Sequence, residues 1–317
     1  MSTSAGASAA AAGSKRPPPG PVRVTVCGTS LCAGAVWKLK MGSINGLSDP
    51  AKAPGWAKDL GLNTLRLTDF LDFHPTSPQA AFDATRWARV DRLIAASRAA
   101  GLYVELDLST YRNVLLAVGV NPYTYDWAPF LDFVVNRRNT VTGVRYGSDP
   151  TIALVAFAGE VEPINGSRDV GVTTAQLTAF FRTVTDRWAA RAPGQLLTTG
   201  GLMQLDWDSG IDWQTLMALP NNHVPSIHIY SDADRRTTVP AFAARAAQLG
   251  KPWLNEEFGA PAAIGDEARA ALFTSTYQLT RSYRAAGNGL WNVGPETTNT
   301  HDVGPQFPLT FAAVRNS

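Results

Sequence analysis

Two short stretches of the chain end in acids in a way that suits bond-breaking chemistry. Asp149 to Pro163, DPTIALVAFAGEVEP, opens on the turn pair Asp149-Pro150, runs apolar from Ile152 to Ala158 and ends at Glu160 and Glu162. A run without alternation suits a strand buried on both faces, as in a parallel sheet. Lys251 to Gly259, KPWLNEEFG, repeats the plan and ends at Glu256 and Glu257. Acids at the carboxyl ends of such strands stand where parallel α/β folds place their chemistry. Two carboxyl groups on one rim can work on a glycosidic bond, one protonating the leaving oxygen while the other attacks the anomeric carbon. Successive strand side chains face opposite sides, so only one of Glu256 and Glu257 is expected to face inward. Glu160 and Glu162 share a face if their strand continues, and position alone does not separate them.

The strands that must carry these acids can be counted. Val22–Val26 alternates and reads as the first, followed by a long loop over 29–50. Asn63–Leu67, Leu102–Leu108 and the run to Glu160 follow, then Leu196–Thr199, Ser226–Tyr230, Lys251–Glu257 and Gly289–Val293. Helical periodicity lies between them, at Pro54–Leu60, Thr85–Ala100, Trp127–Arg137, Thr174–Arg191, Val239–Leu249 and Asp266–Ala286. Residues 109–126, rich in Tyr and Asn, read as an irregular loop of the kind that often carries function. Eight strands alternating with helices predict an α/β fold, a single (β/α)8 TIM barrel over 22–317. GTSLCAG after the first strand fits neither phosphate-loop pattern, which argues against a doubly wound sheet. In a barrel the rim would hold Arg66, Glu160, His228, Tyr230, Glu257 and Trp291. Arg66 and Tyr230 could hydrogen-bond the nucleophile and favour its ionised form, and Trp291 could floor a sugar.

Bulk properties exclude other classes. The chain has 317 residues, 45% hydrophobic, enough for one large core or two ordinary domains. With 28 Lys+Arg against 26 Asp+Glu, nothing points to nucleic acid or a membrane surface. Nine tryptophans suit either core packing or sugar stacking. Cys27 and Cys32 are expected as free thiols, a bridge requiring an oxidising compartment. Residues 1–21 read as a low-complexity, disordered arm without a complete signal peptide. That predicts a cytoplasmic protein, or a secreted one if the N-terminus was trimmed. No apolar run is long enough to span a membrane. Asp206, Asp208, Asp212, Asp232 and Asp234 lack EF-hand spacing and read as solvated loop acids, and His301 as a surface residue. A monomer acting on an oligo- or polysaccharide is expected, with no metal or organic cofactor, because two carboxylates suffice.

From about Asn63 to Val293 the chain resembles glycoside hydrolase family 5, above all its β-mannanase branch. The densest match is NRRNTVTGVRYGSDPTIALVAFAGEVEP, Asn136 to Pro163. Mannanases of the family carry a similar Asn-Thr-x-Thr-Gly phrase, a Tyr, then Asp-Pro-x-Ile and a strand ending Asn-Glu-Pro. The resemblance implies Glu160 as acid/base and Glu257, the Glu before Phe-Gly, as nucleophile. His228-Ile229-Tyr230 is similar to the family's His-x-Tyr, Arg66 to its second-strand Arg and Trp291 to its eighth-strand Trp. Three positions depart from the pattern. Gly159 replaces the Asn before the acid/base, Ser109 the third-strand His, and Val161 the Pro after the acid. Glu162 or Asn165 is then expected to supply the missing sugar contact. The implied activity is retaining hydrolysis of β-1,4-linked mannose-containing glycans, endo or exo, with carboxyl groups about 5–5.5 Å apart. A β-1,4-glucanase and a non-catalytic carbohydrate-binding relative are the alternatives.

Overall fold

The computed structural model describes residues 21–45, 50–161, 172–202, 211–295 and 301–317. The expected arm, and with it Glu162, Asn165, Asp206 and Asp208, lies outside the described residues apart from Pro21. The described chain starts with three short antiparallel strands, β1 (Thr25–Cys27), β2 (Ser30–Ala33) and β3 (Ala35–Trp37). A parallel sheet follows: β4 (Leu39–Asn45), β5 (Thr64–Thr68), β6 (Tyr103–Asp107), β7 (Ile152–Ala156), β8 (Glu160–Val161), β9 (Leu196–Thr198), β10 (Gly201–Leu202), β11 (Ser226–Ile229), β12 (Leu254–Phe258) and β13 (Gly287–Leu290). β7 and β8 are two parts of one stave, as are β9 and β10. β7 pairs with β9, β8 with β10 and β10 with β11, so eight staves close as the expected (β/α)8 barrel.

The helices are α1 (Ala53–Asp59), α2 (Ala84–Ala99), α3 (Ser109–Ala117), α4 (Ala128–Asn136), α5 (Thr174–Arg191), α6 (Trp213–Ala218), α7 (Val239–Leu249), α8 (Asp266–Ser282) and α9 (Pro308–Arg315). Local chemistry sets their ends. Asp83 accepts from the Arg86 amide to start α2, and Thr173 with Gln176 forms a capping box on α5. Gly250, at φ +64°, stops α7. α3 lies in the stretch expected to be irregular; its buried Val114 and Leu115 pack inward, which the surrounding Tyr and Asn hid. α6 and α9 were also not anticipated.

The first barrel stave is β4, not Val22–Val26. The alternation of that segment belongs to the small sheet beneath the barrel, where Val24 is buried while Val22 and Val26 are exposed. Val24 and Leu31 pack there on Leu39, Met41, Tyr103, Leu154, Leu196 and Leu254, closing the amino-terminal end of the barrel. Gly34, Trp37, Gly42 and Gly46 made 29–50 read as loop, although β4 runs through it. Lys38 reaches from the barrel base to the carbonyl of Ala285, 2.7 Å away. The eighth stave begins at Gly287 and ends at Leu290, so Trp291 lies just beyond it. A Cβ on Gly289 would stand 2.1 Å from the Glu256 carbonyl, so glycine is needed for this close approach.

Cys27 and Cys32 are bonded to each other, which corrects the free-thiol expectation. The hairpin explains it: β1 and β2 pair Thr25 with Cys32 and Cys27 with Ser30, bringing the two Cα atoms to 6.0 Å. The bridge closes a five-residue separation, which corresponds to a stabilisation of about 2 kcal/mol in the chain-entropy account. Thermal unfolding of Cys27→Ser/Cys32→Ser is therefore expected below the parent, and reductant should lower the parent to the variant's midpoint while leaving the variant unmoved. Equal midpoints without reductant would show that the bridge adds nothing.

Candidate active site

The carboxyl ends of the staves meet at a cleft of about 370 Å³. Its lining includes the expected Arg66, Glu160, Tyr230, Glu257 and Trp291. His228 stands just beneath, 1% exposed. Arg66, equally buried on β5, is the hub. Its Nη1 donates to Glu257 Oε2, its Nη2 to Asp107 Oδ2 at 2.8 Å, and its Nε lies 3.2 Å from Glu105 Oε1. Tyr230 donates its hydroxyl to Glu257 Oε1 at 2.6 Å. His228 Nδ1 lies 3.3 Å from Glu160 Oε1 and 3.9 Å from Glu257 Oε1, and its Nε2 lies 3.5 Å from Glu256 Oε2. One oxygen of Glu160, one ring nitrogen of His228 and one oxygen of Glu257 all lie within 4.8 Å of one another.

The expectation that only one of Glu256 and Glu257 faces inward is wrong. Ile227 pairs with Asn255 but His228 pairs with Glu257, so β12 carries one extra residue at Glu256. This bulge breaks the period of two and aims both acids inward at different depths. Glu256 is completely buried, whereas Glu257 reaches the cleft with its side chain 10% exposed. Glu160, at the start of β8, is more open, its side chain 35% exposed.

The charges of the site are set by burial working against partners. Burial favours a neutral His228, but the charge of Glu257, the hydrogen bonds to Glu160 and Glu256 and the charge of Glu160 outweigh it and push the imidazole up to about 10. Burial likewise raises Glu160, but the hydrogen bond and charge of His228, with Arg66 and Arg112, hold its carboxyl below the ordinary range. Burial, the charge of Glu257 and the hydrogen bond to it raise the Tyr230 phenol, which therefore stays a donor. As an imidazolium, His228 offers no ring lone pair, and Arg66 already donates to Glu257. The Glu160–His228–Glu257 trio is thus a poor cradle for a metal ion.

Several cleft residues escaped the sequence reading. Asp107 and Glu105 are completely buried against Arg66. Their signal was present: two acids two apart in an apolar strand share one face, and a buried face with two acids needs a cation. Arg112 donates to the Glu160 carbonyl at 2.6 Å from α3, the helix that was read as loop. Asn113 donates to Asp69 at 2.9 Å, and Asp69 sits at φ +52° just past β5. His301, expected on the surface, lines the cleft. Ser109 adjoins Gly159: a Cβ there would stand 3.0 Å from Ser109 Oγ and 3.3 Å from Asp107 Oδ2. The two departures are therefore coupled in space, because a side chain at 159 would require Ser109 to move. Of the tryptophans, Trp291 lines the cleft, while Trp87, Trp127, Trp188 and Trp253 pack in the core.

A closed parallel barrel whose rim holds two near-facing carboxyl groups, a buried arginine, a histidine and a tyrosine suits glycoside hydrolysis. Residues 55–297 match the model of the Cellulase family, glycosyl hydrolase family 5. The chain belongs to that family. A comparison with curated proteins finds no match. Among solved structures it is similar to an endo-1,4-beta-mannanase from Rhizomucor miehei, with a TM-score of 0.79 and 18% identity over 93% of this chain and 98% of that one. A family 5 mannosidase from the same organism, in complex with mannosyl-fructose, gives 0.71 and 16% over 93% and 96%. An endoglucanase catalytic domain from Thermobifida fusca, in complex with cellotetraose, gives 0.59 and 18% over 93% and 96%.

Proposed function

We propose that the protein is a retaining β-glycosidase in which Glu257 is the nucleophile and Glu160 the acid/base. The observation that carries this reading is the approach of their carboxyl oxygens to within 4.8 Å across an open cleft. That spacing suits direct attack, whereas an inverting pair stands roughly 6.5–9.5 Å apart to admit a water between carboxylate and sugar. Glu257 attacks the anomeric carbon while Glu160 gives its proton to the departing glycosidic oxygen. Arg66 and Tyr230 hold the two oxygens of Glu257, leaving the carboxylate aimed rather than free to rotate. Glu160, now a base, takes a proton from water, which releases the sugar from Glu257. Trp291 offers the apolar face of the sugar a wall.

The substrate in this reading is a β-1,4-linked, mannose-containing glycan. The phrase from Asn136 to Pro163 supports it, as do the mannanase and mannosidase among the similar structures. A β-1,4-glucanase is the second reading, favoured by the Cellulase family match and the endoglucanase likeness. A product time course on mannohexaose and cellohexaose tests both. A spread of di- to tetrasaccharides from mannohexaose is the expected result. Mannose alone, released stepwise, would mean exo action. Cleavage of cellohexaose only would transfer the assignment to the glucanase, and two intact substrates would favour a sugar-binding protein that Gly159 has cost its chemistry.

A further inference from the structure

Double displacement does not use Glu256, yet this residue is completely buried and linked to both reactive acids. Its Oε2 accepts from Ser226 Oγ at 2.7 Å and lies 3.5 Å from His228 Nε2. Ser226 is held in turn by Thr198, at 3.1 Å. Glu105, completely buried, is pushed well above the ordinary carboxylate range by burial and by the charge of Glu256, and its Oε1 lies 3.2 Å from Arg66 Nε. A buried chain of groups therefore runs from Glu160 through His228, Glu256, Glu105 and Arg66 to Glu257. The imidazole has no freedom to leave it, because it lies against Gly201, where a Cβ would stand 2.1 Å from the ring.

Two neighbouring carboxyl groups in a dry core cannot both be desolvated as anions, so one of them keeps a proton. Partners decide which keeps it. Glu256 accepts from a hydroxyl and faces a cationic ring; Glu105 has only Arg66 Nε, on a guanidinium already donating to Asp107 and Glu257. The proton belongs on Glu105 and the charge on Glu256. We propose that Glu256 is a positioning residue acting through His228: as the anion behind the ring, it keeps the imidazole charged and aimed at Glu160, and the neutral Glu105 makes its burial possible. This rests on the reading of Glu160 as the acid/base.

The charged groups facing His228 are Glu160 from β8 and Glu256 and Glu257 from β12, while Arg66 and Arg112 act on Glu160 and Tyr230 on Glu257. Across the neutral range Glu160 and His228 hold one proton between them, and the form with it on Glu160 serves the leaving oxygen. That proton is lost only as pH rises through the His228 range, about 10. The basic limb of kcat/KM therefore follows His228. Removing the negative charge at 256 lowers the pH at which the proton leaves.

Glu256→Gln keeps the shape and the Ser226 contact but discards the charge, whereas Glu105→Gln keeps both shape and donor. His228 is followed by imidazole nitrogen NMR, which needs no activity, alongside kcat/KM on mannohexaose against pH. Glu256→Gln should lower the His228 titration, and the basic limb with it, by about one pH unit or more. Glu105→Gln should leave both in place. If Glu256→Gln does not fold, Glu256→Asp, which withdraws the charge by one methylene, should lower the titration by less. An unmoved titration in the Glu256 variants, or an equal drop in Glu105→Gln, overturns the proposal. If the titration shifts as expected but the parent cleaves no oligosaccharide, the glycosidase reading falls while the coupling of Glu256 to His228 stands.

Discussion

Glu257→Gln is expected to lower kcat/KM on mannohexaose by roughly ten-thousand-fold or more, with the fold intact. The amide is isosteric and still accepts from Tyr230, but it cannot form the covalent glycosyl intermediate. Glu160→Gln should behave differently, and the contrast assigns the roles. It loses general acid catalysis, worth roughly a hundred- to ten-thousand-fold, on substrates whose leaving oxygen needs a proton. On an aryl glycoside with an acidic phenol as leaving group the first step no longer needs that proton. The glycosyl-enzyme should then accumulate as a burst, and added azide should speed its breakdown. The Glu257 variant should give neither burst nor azide effect at the same face. If Glu160→Gln and Glu257→Gln lose the same activity on both kinds of substrate, the roles given to these acids are wrong.

How much of this was legible beforehand varied by element. Staves that are apolar throughout announced themselves, as Ile152 to Ala156 did, because burial on both faces leaves no polar alternation to misread. β4 did not, because Gly34, Gly42 and Gly46 gave residues 29–50 the look of a loop. Val22 and Val26, exposed on either side of the buried Val24, imitated a strand of the barrel. Within the site, Arg66, His228 and Tyr230 could be placed because each lies in or just beyond a short apolar strand. The parity argument failed at Glu256 because a bulge adds one residue that no local pattern marks. The phrase that most strongly suggested a mannanase is structural in its first half. Arg137, Asn139, Thr140 and Tyr146 all hydrogen-bond Asp91 of α2, at 2.6–3.0 Å, and Gln195 donates to the Tyr146 carbonyl at 2.7 Å. That latch ties α2 to the approach of β7, away from the cleft. As a latch it supports kinship with the mannanase fold, while Asp69, Ser109, Arg112, Asn113 and His301 line the cleft itself.

Arg66→Met should cost the most stability of any single change in the site. The guanidinium is 1% exposed and reaches Glu105, Asp107 and Glu257 at once. Burial works against its charge, but Asp107, Glu256 and Glu257 outweigh that and hold its proton more firmly than usual. Methionine fills much of the volume, so the loss is chiefly electrostatic: the buried acids are left without their counter-ion. Removing one partner of such a group costs about 3–5 kcal/mol. The pH dependence separates this from a packing defect. Acids stranded in the core take up protons that the unfolded chain releases, so their penalty is small below the ordinary carboxylate range, near pH 4, and grows as pH rises above it. Urea unfolding should therefore show a gap between parent and variant that is wide at pH 7 and narrow at pH 4. A gap that does not change with pH would mean that shape, not charge, is what Arg66 supplies. Arg66→Lys sharpens the point. It restores the charge but not the planar fork that reaches Glu105, Asp107 and Glu257 at once. It should recover part of the stability at pH 7 while leaving Glu257 poorly aimed, so that kcat falls more than KM changes.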